Sequence, residues 1–333
     1  MAAPLARALS AVRCHVATTI TRGGAPRLAP RALAAAAAAP SSWLAAPAGH
    51  TTAQWRGVAT ATATEGAVGP STAVPLAGLL SMQGKSAVVT GGAKGIGRGI
   101  VARMHEAGAR VAIVDFDAEA AREAAAAYPD GRVVAIQCDV GDAGACTAAL
   151  AAAKEQLGGR LDVLVNDAGI FPFGAAMEME LETFDRVIAT NVKGVFVMSR
   201  EFVKLCAGAG SAIVNIGSID SLHPSSVGLA AYDTSKGAVR MFNKAFALEV
   251  ARAGIRVNMV MPGGITTEGT EALLAGYDPK VVADMMAHHV EKTPYGRMGV
   301  PDEIGCVALF LATPGSSYMT GAEVVVDGGT LLG

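Results

Sequence analysis

From Met82 onward the chain alternates between two textures. Short runs rich in valine and isoleucine give way to longer stretches whose apolar residues recur every three or four positions. SAVVT (86–90), RVAIVD (110–115), RVVAIQ (132–137), LDVLVN (161–166), AIVNIG (212–217), IRVNMV (255–260) and EVVVD (323–327) read as seven strands. They are close to continuously apolar, the pattern of strands covered on both faces. Segments 97–108, 142–157, 182–207 and 230–253 have helical length and spacing, and a further helix begins at Pro301. Strand and helix taking turns predict βαβ units. The expected fold class is α/β: a Rossmann-like, doubly wound, parallel seven-stranded sheet with helices on both faces. It forms one domain over 82–333, and no internal repeat is apparent.

The region before it differs. Residues 1–64 hold neither Asp nor Glu, and their basic residues are all arginine: Arg7, Arg13, Arg22, Arg27, Arg31 and Arg56. Segment 1–65 therefore reads as a disordered organelle transit peptide, with no compact apolar core of the kind a secretory signal carries. Arginine outweighs serine, which favours the mitochondrion, with the plastid as the alternative. A disordered Ala-rich tail without an address is the bland reading. Segment 66–81 reads as a linker.

Composition narrows the function classes. Half of the 333 residues are apolar, enough for a sizeable core. The formal charge of −2 argues against a nucleic-acid partner. No apolar run has the length of a membrane span. Cys14, Cys138, Cys146, Cys206 and Cys306 form no CxxC pair and have no histidine at ligand spacing, so reduced thiols and no metal are expected.

Candidate chemistry sits at the strand ends. Strand one runs into TGGAKGIG, where Gly91, Gly95, Ile96 and Gly97 precede a helix. Glycines there let the backbone turn tightly beside a pyrophosphate, and the helix N-terminus offers it free N–H groups. Asp115 closes strand two; an acid in that place accepts from a ribose 2′-hydroxyl and repels a 2′-phosphate, which favours NAD over NADP. Lys94 and Arg98 pull the other way, since either can partner a phosphate. Asp139 and Val140 follow strand three and are placed to flank an adenine. Asn166, Ala168 and Gly169 follow strand four, where small residues let a cofactor pass closely. Ser218 closes strand five, placed to hold a carbonyl oxygen. In AYDTSKGAV, Tyr232 and Lys236 are spaced i, i+4 and share a helix face. A fixed ammonium nearby lowers a phenol from its usual pKa of about 10 and makes it a usable general acid/base. Asn191 falls inside a helix, either as a solvated position or as a kink that binds a water and relays protons from Lys236.

Taken together, these residues resemble the short-chain dehydrogenase/reductase family over about 82–333. The likeness rests on the TGxxxGIG turn at 90–97, the acid at 115, the DV pair at 139–140, the NNAG-like element at 166–169, Asn191, Ser218, YxxSK at 232–236 and the PG pair at 262–263. The resemblance implies Tyr232 as acid/base, and Lys236 as the residue that lowers its pKa and bonds the nicotinamide ribose. It implies Ser218 as the carbonyl-orienting hydroxyl and Asn191 as the relay. It also implies a nicotinamide clamp at Pro262, Gly263, Ile265 and Thr267. Two positions depart from the pattern: Asp167 in NDAG and Thr234 in YDTSK.

The expected function is an NAD-dependent oxidoreductase that moves a hydride between a secondary alcohol or ketone and the cofactor, with NADP possible. The alternatives are an NADPH-dependent organellar 3-oxoacyl-carrier-protein-type reductase, or a non-catalytic dinucleotide-binding scaffold. A helical lid over about 264–299, with Leu273, Leu274, Met285, Met286 and Val290, is expected to select the substrate. His223, Pro224 and the FPF aromatics (171–173) are expected beside it, and His288 and His289 on the surface. The apolar C-terminus and long helices suggest a homotetramer or homodimer.

Overall fold

The computed structural model describes residues 74–270, 275–276 and 278–333. The leader 1–65, Cys14, Leu273 and Leu274 lie outside the described residues. So do linker positions 66–73. The rest of that linker is not free: the Met82 N–H donates to Ala107 O and the Gly315 N–H to Leu79 O, so 79–82 is tied to the domain.

Seven strands form one sheet, β1 (Ser86–Thr90), β2 (Arg110–Asp115), β3 (Val133–Gln137), β4 (Val163–Asn166), β5 (Ala212–Ile216), β6 (Arg256–Pro262) and β7 (Glu323–Val326). All pairings are parallel, in the order β3-β2-β1-β4-β5-β6-β7. The fold is the expected α/β one. Successive side chains of a strand point to opposite faces. Accordingly Ala87 and Val89 enter one core and Val88 the other, and β2 divides Val111 and Ile113 from Ala112 and Val114 in the same way. This is why the strands had to be apolar throughout. Helices α1 (Gly95–Glu106), α2 (Ala118–Ala126) and α8 (Pro301–Ala312) cover the first core. The second is covered by α3 (Ala143–Gln156), α5 (Val195–Leu205) and α6 (Ala230–Val250). Each fully buried leucine, isoleucine or phenylalanine there, such as Leu150, Ile213 or Phe202, contributes about 1.5–3 kcal/mol by leaving water.

One expected helix is broken. The segment 182–207 is α4 (Leu181–Ile188), a π-helical turn (Ala189–Gly194) and then α5. The wider turn releases backbone groups and swings Asn191 inward. The excursion after β6 contains α7 (Pro279–Lys292), started by Asp278, whose carboxylate accepts the Lys280 N–H at 2.7 Å.

Candidate active site

The strand order reverses between β1 and β4, so their C-terminal ends open a crevice where ligands bind in such sheets. Thr90 holds that crevice together. Its hydroxyl accepts the N–H groups of Asp167 (3.0 Å) and Ala168 (3.1 Å) and donates to Val165 O. The chain then turns at Gly91, whose φ of +66° a side chain would resist. At the start of α1 the Gly95 N–H already meets an anion: Glu268 accepts it through Oε2 at 2.9 Å. That carboxylate occupies the position in which a helix N-terminus receives an anion.

Two adjoining cavities occupy the crevice. The first, of about 730 Å³, is lined by Asp115, Asp139, Val140, Ala168 and Gly169. The second, of about 430 Å³, is lined by Gly91, Gly95, Ile96, Gly169, Ser218, Tyr232, Lys236, Pro262, Gly263, Ile265 and Thr267. Gly169, Phe171 and Gly269 line both, so the two are continuous. Gly97 lines neither but packs under the turn against Gly91 and the Asp167 carboxylate. The first cavity has the acid and the apolar wall an adenosine needs. The second joins the phosphate turn to the Ser218–Tyr232–Lys236 group. Both oxygens of Asp115 hold backbone N–H groups, Oδ2 that of Ala93 and Oδ1 that of Asp117, which fixes the carboxylate at the rim. Asp139 is tethered by the Gly141 N–H at 2.8 Å.

Asn166 and Asn191 have their side chains committed to the protein itself. The Asn166 side chain faces the core, where its amide donates to Asn215 Oδ1 (2.8 Å) and Ser199 Oγ (3.0 Å); it is structural and lines neither cavity. Sequence position alone put it at the cleft because the strand ends there. Asn191 is buried, and its side-chain amide is committed: Oδ1 accepts the Ile170 N–H, and Nδ2 donates to Ile170 O and Ser235 Oγ. The side chain therefore locks the π-turn to the loop after β4 and has no hydrogen left for a relay water. A relay at this position would have to use backbone groups that the π-turn frees.

Around the second cavity, Phe171 sets its ring edge against Tyr232 with centroids 6.0 Å apart. Phe173 also lines this cavity, and Pro172 the first. His223 and Pro224 are exposed and line neither. His289 is not a surface residue; it is half-buried with its imidazole over Gly264. Lys236 donates to Ile216 O at 2.9 Å, which draws its Nζ to the end of β5. Ser218 donates to Asp220 Oδ2 at 2.9 Å, a partner the sequence reading passed over although it stands in the same NIGSID run.

A family-wide sequence profile described as enoyl-(acyl carrier protein) reductase matches residues 91–330. A galactitol 2-dehydrogenase (L-tagatose-forming) of Cereibacter sphaeroides is 38% identical over 74% of this chain and 95% of its own. A 2,5-dichloro-2,5-cyclohexadiene-1,4-diol dehydrogenase of Sphingobium indicum is 35% identical over 76% of this chain and 98% of its own. A solved short-chain dehydrogenase/reductase of Serratia marcescens superposes with a TM-score of 0.68 at 36% identity, covering 75% of this chain and 98% of that one.

The chain belongs to the short-chain dehydrogenase/reductase family.

Its relatives also correct the organellar address. They come from bacteria, which contain neither mitochondria nor plastids, so the mitochondrial reading and its plastid alternative are not upheld. An arginine-rich, acid-free composition resembles a targeting leader, but composition alone carries no receptor-read address.

As an oxidoreductase of this family the protein works with a nicotinamide cofactor. That cofactor supplies the carbon that takes or gives the hydride and, when oxidised, a positive charge beside the phenol. The protein's own groups are poised differently from the sequence expectation. Burial pushes the Tyr232 phenol above its usual range; Asp220, Asp167 and Asp233 add to the rise, while the Ser218 hydroxyl opposes it. The Lys236 ammonium lies 5.5 Å from the Tyr232 ring centroid, and burial pulls its own pKa down against the opposing fields of Asp167 and Asp220. Without the cofactor, Tyr232 is therefore a neutral phenol.

Asp167, the departure from NNAG, is part of this balance. Burial pushes its carboxyl up to about 7, with Lys236 and the Gly97 N–H opposing and Asp115 adding to the rise. A carboxyl raised in the fold stabilises fully below its unfolded pKa of about 4, and that contribution is lost as pH climbs through about 7. Asp167→Asn is expected to flatten the fall in stability between those pH values and to leave the variant more stable than wild type at pH 8. Thermal unfolding across pH 4–9 checks this.

Proposed function

We propose that this protein is an NAD-dependent dehydrogenase of secondary alcohols, running in reverse as a ketone reductase. The observation that carries the reading is one cavity lined at once by the phosphate turn and by Ser218, Tyr232 and Lys236. Ser218 and Tyr232 hold the substrate oxygen. In oxidation the carbinol hydrogen leaves as hydride to the cofactor and the hydroxyl proton passes to Tyr232; reduction reverses both. Lys236 holds the ribose hydroxyls with the two donors not spent on Ile216.

NAD is favoured by where the cations are. Lys94 is paired with Asp117 at 2.9 Å, and Arg98 lies 4.0 Å from Glu268, so both bases are already engaged by acids. Asp115 stands at the rim of the first cavity, where a carboxylate repels a 2′-phosphate. The expected result is a KM for NADH at least about tenfold below that for NADPH, a difference of ~1.4 kcal/mol. Parallel initial-rate measurements with the two cofactors decide it, and a preference for NADPH would favour the carrier-protein reductase reading.

The raised phenol sets the pH dependence. Oxidation needs Tyr232 deprotonated and reduction needs it protonated. The oxidative kcat/KM is expected to climb toward alkaline pH, while the reductive value stays level and then falls. Rate profiles run in both directions on one alcohol–ketone pair test this.

We also read the enzyme as a homotetramer or homodimer. Phe196 on α5 and Met241 and Leu248 on α6 are all exposed, apolar side chains that a second copy would cover. Sedimentation velocity gives the answer.

A further inference from the structure

Asp220 belongs to none of the roles above, yet its carboxylate lines the substrate cavity beside Ser218 and Tyr232. It sits in a short 3₁₀ turn (Ile219–Ser221) directly after the catalytic serine. Each oxygen has one fixed partner. Oδ1 accepts the Ser225 N–H at 3.1 Å, which anchors the turn, and Oδ2 accepts the Ser218 hydroxyl at 2.9 Å. The Asp220 N–H donates back to Ser218 Oγ at 3.1 Å, so serine and aspartate are held as one rigid unit. Among the described residues Asp220 makes no ion pair, although Lys236 is near enough to feel its charge. Asp233, Tyr232 and Lys236 on α6 are the other titratable groups facing it.

This arrangement has a consequence for Ser218. A hydroxyl has one hydrogen to give, and Asp220 holds it. A lone carbonyl or alcohol oxygen arriving in the cavity finds a serine whose proton points elsewhere. A ligand that brings its own donor for Asp220 changes that. We infer that Asp220 is a specificity-determining residue that selects substrates with a hydroxyl on the carbon next to the reacting one. Such a vicinal diol places two oxygens side by side at a spacing that matches the Ser218–Asp220 pair. Its second hydroxyl donates to Asp220, the Ser218 hydroxyl is released, and that hydroxyl donates to the reacting oxygen. The hydride and proton transfers are those of the dehydrogenase reading, on which this inference rests.

The test compares 2,3-butanediol with 2-butanol, which differ in the one neighbouring hydroxyl. Wild type is expected to show a kcat/KM at least about tenfold higher for the diol, as for a charged acceptor gaining a donor. Asp220→Asn keeps a carbonyl oxygen for the Ser225 N–H and replaces the acceptor facing Ser218 with an amide donor. In that variant the diol-to-butanol ratio is expected to fall toward one, with a rise in KM for the diol and little change in NADH affinity measured by fluorescence. A wild type active on both alcohols without preference, or a D220N enzyme that loses equally on both, overturns the inference and leaves the dehydrogenase reading standing. Turnover of neither alcohol, or of any other in a broad panel, overturns both. Should D220N fail to fold, the wild-type ratio decides alone.

Discussion

Tyr232→Phe is expected to fold, bind NADH and lose turnover by at least about a thousandfold. The loss follows from the one atom removed. Proton transfer by a positioned side chain contributes roughly 10²–10⁴ in rate, and no other group lining the cavity is placed to replace it. Ser218 has its proton on Asp220, and Lys236 spends one donor on Ile216 O. Folding should be spared, because the ring keeps its edge contact with Phe171. Absorbance at the NADH band reads turnover, and fluorescence quenching reads binding. A variant within tenfold of wild type in kcat would remove Tyr232 from the mechanism.

The second large effect is predicted at Gly97. A Cβ built there would overlap the Gly91 carbonyl oxygen and come within 2.8 Å of the Gly91 carbonyl carbon and of Asp167 Oδ2. The first two are backbone atoms of the phosphate turn, so nothing flexible can move aside. Either the turn opens or α1 shifts away from the crevice. Gly97→Ala should cost about 1–3 kcal/mol in stability, the range for forced overpacking. Dinucleotide affinity should fall by about a hundredfold, because the N–H groups of α1 no longer point at the phosphate position. Calorimetric titration with NADH and a thermal melt separate the two losses. A normal melt with normal affinity would mean that the turn is not where the phosphates bind.

Burial of Tyr232 itself is the main reason its phenol is not lowered in the free protein, with Asp220, Asp167 and Asp233 adding to the rise. Burial also drives Asp167 and Lys236 toward their neutral forms, Asp167 upward and Lys236 downward. An oxidised cofactor, when bound, would supply a positive charge that favours the phenolate.

Much of this was readable from the residues alone. Strands covered on both faces must be apolar at every position, so SAVVT and RVAIVD declared themselves and their order implied a parallel sheet. The glycines at 91, 95 and 97 could be placed at a turn because a tight backbone turn with close approach has little room for side chains. Tyr232 and Lys236 could be paired because a helix puts i and i+4 on one face. These are short-range rules, and they hold whatever the rest of the chain does. What lay beyond them depended on groups distant in sequence. Asn166 turned inward because Asn215 and Ser199 offered buried hydrogen bonds, and no strand-end rule foresees those partners. The helix over 182–207 broke at a π-turn because Asn191 found the backbone of Ile170. The charge states of Tyr232, Lys236 and Asp167 followed from desolvation, which spacing does not report. The fold was legible in the residues alone, and so were a candidate cofactor turn and candidate reactive side chains, since each reading rests on local backbone geometry. Which polar groups are spent on holding the protein together followed from tertiary packing, because that division depends on burial and on partners brought from other elements.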